Sequence, residues 1–167
     1  LFIIIPSDRV SKVNALLLTI SFSSKVIVAF VPATPAPYAK DWDKADVSNL
    51  KDVEYKGALN PTQLREEQSK AEYWIYVANY TETYCITALE MMLQKVKIIT
   101  NGPGNIKNLI EKGGRGILID DIDPNIVIEQ LLNKYNNKMI EKAYKYALEQ
   151  SWENRTMEWL NLIEDEE

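Results

Sequence analysis

Histidine is absent from this chain, and that absence removes whole classes of chemistry. Without imidazole there is no His general base, no Ser-His-Asp or Cys-His nucleophile system and no His-ligated zinc built within the segment. Any catalysis here falls to carboxylates, Lys, Tyr or Cys, or to a base from another domain. Cysteine occurs once, at Cys85, so no intramolecular disulfide forms and nothing points to an oxidising compartment. Apolar runs such as VIVAFV, from Val26 to Val31, are too short to span a bilayer, and LFIIIP at Leu1 to Pro6 lacks the basic flank and cleavage site of a signal peptide. Positive charge is in deficit: 19 Lys and Arg stand against 24 Asp and Glu, a net charge of -5. Nucleic acid and anionic membrane surfaces are therefore not expected as main partners, although a local anion site remains compatible with this balance. The expected location is cytoplasmic.

What is present describes one globular domain. The 167 residues are 46% hydrophobic and 26% charged, enough to bury a sizeable core. The chain opens on Leu1 rather than Met and reads as a piece of something longer. Strand candidates are Leu1 to Pro6, Lys25 to Val31, Asp52 to Leu59, Tyr73 to Ala78, Val96 to Thr100 and Gly116 to Asp120. Helical patterns lie between them, from about Ser11 to Phe22, Pro61 to Lys70, Tyr84 to Lys95 and Asn105 to Lys112. Short runs that are apolar on both faces are what a parallel sheet covered on both sides requires. The alternation predicts an α/β chain over 1–167, a Rossmann-like doubly wound parallel sheet of about six strands with helices on both faces. Asp123 is an N-cap candidate with Pro124 at the first helical position, and a helical C-terminus follows. The stretch from Val31 to Asn49, rich in proline and then charge, reads as an exposed loop.

In such a sheet ligands sit beyond the carboxyl ends of the strands, where strand order reverses. The segment YTETYCITALEMM, Tyr80 to Met92, follows a strand candidate and places Glu82 and Glu90 with seven residues between them. A helix starting near Tyr84 or Cys85 offers the amides of Cys85, Ile86 and Thr87 to an anion such as phosphate. Glu90 falls about 8 Å along that helix, roughly a phosphate-to-ribose distance. Two carboxylates beside an anion site do not attract phosphate; they accept hydrogen bonds from neutral hydroxyls, sugar on one side and ribose on the other. Thr87-x-x-Glu90 also reads as a capping box.

The run from Glu54 to Ile119 resembles the carboxyl-terminal, donor-binding half of GT-B glycosyltransferases. The likeness is carried by Tyr55-Lys56-Gly57 at a strand end, a helix with Gln63 and Leu64, then Glu82, seven residues and Glu90 within "ALE", a Gly-containing loop after the next strand, and "GIL" opening the last. YALEQSWENRTMEWL, with Trp152 and Trp159, resembles the closing helices of that family. The resemblance implies that Glu82 binds hydroxyls of the donor sugar beside Tyr84 and Cys85. It implies that Glu90 binds the ribose and that the amides of Cys85, Ile86 and Thr87 receive the diphosphate. Arg9, with Lys12 behind it, is implied as the basic partner of the diphosphate, or else is an ordinary surface arginine. Many relatives carry Gly where Cys85 and Val10 stand.

The function the resemblance implies is metal-independent, retaining glycosyl transfer from a UDP- or GDP-sugar to a hydroxyl acceptor, with no cofactor. The acceptor site and any base are expected in an N-terminal acceptor-binding domain of the same polypeptide, so no catalytic residue is assigned here. Sugar phosphorylases and nucleotide-sugar epimerases share the architecture, and a non-catalytic α/β assembly module is the alternative from another class.

Other motifs have plainer explanations. NGPGN, Asn101 to Asn105, has two of the three glycines of a dinucleotide fingerprint and comes late in the chain, so it is assigned to shaping the donor site. Asp41-Trp42-Asp43 matches a metal-holding Asp-x-Asp pattern but reads as a solvated loop. Asp120, Asp121 and Asp123 are explained by a strand end and a helix cap. Tyr73, Trp74 and Tyr76 read as packing residues, with Tyr80 near the donor. Asn79 and Asn154 open glycosylation sequons, but a glycan on Asn79 would crowd Glu82.

Overall fold

The computed structural model of the chain describes residues 2–3, 26–29, 59–77, 81–102, 104–111, 114–120, 123–132 and 136–164. The strands are β1 (Phe2–Ile3), β2 (Val26–Ala29), β3 (Tyr73–Tyr76), β4 (Lys97–Thr100) and β5 (Ile117–Leu118). The helices are α1 (Pro61–Ser69), α2 (Ile86–Leu93), α3 (Ile106–Glu111), α4 (Pro124–Leu132), α5 (Asn137–Glu149) and α6 (Trp152–Glu164).

All neighbouring strands are parallel, and their order across the sheet is their order in the chain, β1-β2-β3-β4-β5. This overturns the expected doubly wound sheet of about six strands. Such a sheet carries its first strand in the interior and reverses direction there. Here β2 pairs directly with β3, Val26 opposite Tyr73 and Ala29 opposite Tyr76, which leaves β1 at the edge and no reversal among the described residues. Among the described residues the sheet is also smaller than expected. Only β2, β3 and β4 reach four residues, and β1 and β5 have two each. Apolar runs identify segments that want burial, but they carry no information on which neighbour each strand finds. The helix expected at Ser11 to Phe22, the Val31 to Asn49 loop and all but Leu59 of the strand expected at Asp52 to Leu59 lie outside the described residues.

The core forms around β3, which is buried along its whole length as a two-sided parallel strand requires. Alternation sends Trp74 and Tyr76 to one face, where they pack with Ala88, Leu89, Met91 and Met92 of α2, Ile106, Leu109 and Ile110 of α3, and Ala143 and Ala147 of α5. The two alanines stand one turn apart, so α5 lies close against α2. Tyr73 faces the other way, and its hydroxyl donates to the Leu131 carbonyl of α4 at 3.5 Å.

Local signals explain the helix ends. Asn60 caps α1, accepting from the Thr62 and Gln63 amides at 3.0 Å, while the Gln63 side chain accepts from the Asn60 amide at 3.1 Å and Pro61 occupies the first turn. Asp123 Oδ1 accepts from the Asn125 amide at 2.8 Å, the cap expected for α4. Helix α2 closes with Lys95 left-handed at φ 58, its amide donating to Met92 and that of Val96 to Met91, both at 3.0 Å. Arg115 closes α3: its guanidinium donates to the Leu109 carbonyl at 2.6 Å and the Asn108 carbonyl at 3.0 Å, and lies 3.8 Å from the Tyr146 ring of α5. The last helix, α6, buries none of its residues. Among the described residues no helix is long and apolar enough to cross a membrane.

Candidate functional site

The carboxyl ends of β3 and β4 lie side by side because these strands are paired and parallel, Tyr76 opposite Thr100. The segment 81–85 follows β3 and leads into α2; the NGPGN loop follows β4 and leads into α3. Both connections therefore emerge on the same edge of the sheet. They are also tied to each other. The Asn105 amide donates to the Glu82 carbonyl at 2.9 Å. Gly104, left-handed at φ 58, lies so close beneath Glu82 that a Cβ there would stand 2.7 Å from the Glu82 nitrogen and nearer still to its carbonyl oxygen. Gly102 is left-handed as well, and its amide donates to the buried Thr100 hydroxyl at 3.0 Å. The glycine loop thus supports the segment bearing Glu82.

Each glutamate of the pair is held from behind by a buried donor. The Tyr76 hydroxyl donates to Glu82 Oε2 at 3.0 Å, and the Thr83 amide to Glu82 Oε1 at 3.1 Å. Gln68 Nε2 of α1 donates to Glu90 Oε2 at 3.2 Å. Both glutamates are half-buried. A carboxylate accepts at about four lone-pair sites, so the bond from Gln68 leaves Glu90 with acceptor capacity toward a ligand hydroxyl.

Cys85 stands between them. It precedes α2 in a left-handed conformation, φ 57, with no side-chain cap, the conformation that Gly adopts without strain. Burial pushes its thiol up from 9.0 to about 11; a hydrogen bond with the Ala88 backbone works against this, and the charges of Glu82 and Glu90 add to it. Both carboxylates therefore lie near enough to the Cys85 thiol at the α2 N-terminus to act on it. The Ile86 and Thr87 amides open the helix, where the backbone has no intrahelical acceptor. The Ala88 amide is already taken by the Cys85 carbonyl at 3.0 Å. Thr87 lies inside the helix rather than at its cap, so the alternative capping-box reading of Thr87 and Glu90 does not hold.

Not every expected residue joins this group. Tyr84 is exposed and its hydroxyl donates to Gln150 Oε1 at 3.3 Å, which ties it to the C-terminal helices. Arg9, Lys12, Asp41, Asp43, Asn79, Tyr80 and Asp121 lie outside the described residues. Asp120 is exposed. Among the described residues no group of three or more His, Cys, Asp or Glu side chains is arranged to hold a metal ion. Conversely, sequence reasoning missed Gln68 and treated Tyr76 as packing alone. Nothing in the pattern of α1, polar but for Pro61 and an exposed Leu64, marks Gln68 as the residue that turns inward. No protein-family model and no curated protein matches this chain.

Proposed function

We propose that this domain binds a nucleoside diphosphate sugar, UDP- or GDP-linked, and is the donor-binding half of a glycosyltransferase acting in the cytoplasm. The observation that carries this reading is the arrangement around α2: an open helix N-terminus flanked by Glu82 and Glu90, each fixed by a buried donor. The diphosphate is received by the amides of Ile86 and Thr87, where the helix dipole favours negative charge. Glu82 accepts from donor-sugar hydroxyls and Glu90 from the ribose. Arg9 and Lys12 are the proposed cations that balance the diphosphate.

In the transfer, the bond between the anomeric carbon and the diphosphate oxygen breaks and the acceptor hydroxyl oxygen bonds to that carbon. The acceptor proton passes to a base or to the departing phosphate, and the electron pair stays on the nucleoside diphosphate. Fixed amides and cations stabilise that charge as it develops. The acceptor and any base belong to a second domain. Retention of anomeric configuration follows from the family resemblance.

Calorimetric titration with UDP, GDP and ADP, with and without magnesium, tests the reading. Metal-independent binding of one nucleotide, weakened at least tenfold in Glu90→Ala, is expected for loss of hydrogen bonds to a charged group. A second reading, a non-catalytic binding module, is favoured by the strand order, which lacks the reversal that usually forms the ligand crevice. That module predicts that Glu82→Ala and Glu90→Ala change no nucleotide affinity.

A further inference from the structure

Helix α1 is exposed along most of its length, and Gln68 is the residue it buries. The Gln68 side chain is fully buried, 0% accessible. Its Nε2 makes a single bond across 22 residues of sequence to Glu90 Oε2, at 3.2 Å. Its Oε1 is buried without a hydrogen-bond partner. Burying a carboxamide with an uncompensated carbonyl costs stability, and an apolar side chain of the same size would fill the space without that cost. The bond also has only one sensible polarity. Turning the amide over would set a carbonyl oxygen against a carboxylate oxygen, so the orphaned Oε1 is fixed by the demand of Glu90.

We propose that Gln68 is the positioning residue of Glu90: it gives up its own hydrogen-bonding to hold one carboxylate oxygen, so that the other is presented in one orientation to a vicinal diol. This rests on the donor-site reading of Glu90. Glu90 sits on the second turn of α2, and Gln68 holds it from another helix. A glutamate carries three rotatable bonds, and an anchored oxygen removes the freedom that binding would otherwise have to remove. Gln68 itself, being inaccessible, touches no ligand. Its effect passes through Glu90, which is why the expected signature is a loss of discrimination between sugars rather than a general loss of fold.

The test uses the full chain with UDP, 2′-deoxy-UDP and 3′-deoxy-UDP as probes, titrated against wild type and Gln68→Met. Met keeps the volume and removes both the donor and the orphaned acceptor. The expected result is an unchanged or higher urea midpoint, UDP affinity lowered about tenfold, and collapse of the wild-type preference for the intact ribose. Equal loss for all three nucleotides together with a lowered midpoint indicates a structural role and overturns the proposal. Retained discrimination in Gln68→Met overturns the positioning role and leaves the donor reading intact. A wild-type chain that does not separate UDP from either deoxy analogue removes the ribose role of Glu90 and the proposal with it. The Gln68 side-chain amide resonances give a readout that needs no nucleotide and no mutation at Gln68: they shift in Glu90→Gln if the bond exists, and a spectrum unmoved by that change overturns the pairing.

Discussion

Replacing Gly104 by Ala should damage the site through the backbone rather than through any ligand contact. Two costs add at this position. The backbone is left-handed, φ 58, and an L side chain there costs about 1–2 kcal/mol. The new methyl would also collide with the Glu82 main chain, 2.7 Å from its nitrogen and 3.1 Å from its carbonyl carbon. Those atoms are backbone, so the segment must move as a unit, stretching the 2.9 Å bond from the Asn105 amide, worth about 0.5–1.5 kcal/mol. Stiffening of the unfolded chain returns about 0.4–1 kcal/mol. The net loss is about 1–3 kcal/mol, against a urea slope of roughly 1–3 kcal/mol per molar. Gly114 supplies the control: it is left-handed too, φ 66, but among the described residues a Cβ there meets nothing within 4 Å. Gly114→Ala therefore carries the conformational cost without the collision. Urea unfolding of both variants should place Gly104→Ala lower by about 1 kcal/mol or more, with nucleotide binding weakened only in that variant. Equal midpoints would refute the close approach between the glycine loop and Glu82.

Cys85 and the α1 cap offer further tests. Because the Cys85 thiol is held up near 11 from 9.0, first by burial, the folded state keeps a proton that the unfolded state releases. Its contribution is complete below pH 9 and is lost as pH rises toward 11, so Cys85→Ala should flatten the alkaline fall in stability when both are followed by urea unfolding across pH 8 to 11. The thiol should also resist alkylation near neutral pH until the chain unfolds. Asn60→Ala removes the side chain that accepts from the Thr62 and Gln63 amides and should cost about 1 kcal/mol. Since α1 carries Gln68, the same change should weaken nucleotide binding, and an unchanged unfolding midpoint would show that the cap contributes nothing.

Much of the local structure was legible in advance. The helices over 61–69, 86–93 and 106–111 lie within the segments that periodicity marked, and Asp123 with Pro124 starts a helix as its chemistry requires. Strands appear at five of the six marked places, the sixth lying outside the described residues except for Leu59. These features depend on neighbours a few residues away, through caps, turn residues and alternation, so a linear reading reaches them. The length of β5 was overestimated because β-branched residues report a liking for buried sheet, whereas pairing ends where the partner ends.

What the sequence by itself determined is the inventory of chemistry: no imidazole, a single thiol, and two carboxylates bracketing a helix start. It also determined that β3 would be buried on both faces, since four consecutive large side chains leave no face for water. The tertiary structure decided the rest. Strand order was settled by β2 pairing with β3, a contact between residues almost fifty positions apart that no local pattern encodes. The same long-range packing chose the hidden partners of the glutamates, Tyr76 for Glu82 and Gln68 for Glu90. A glutamine on a polar helix looks like any solvated residue until the fold turns it inward, because burial belongs to the packed assembly and not to the residue.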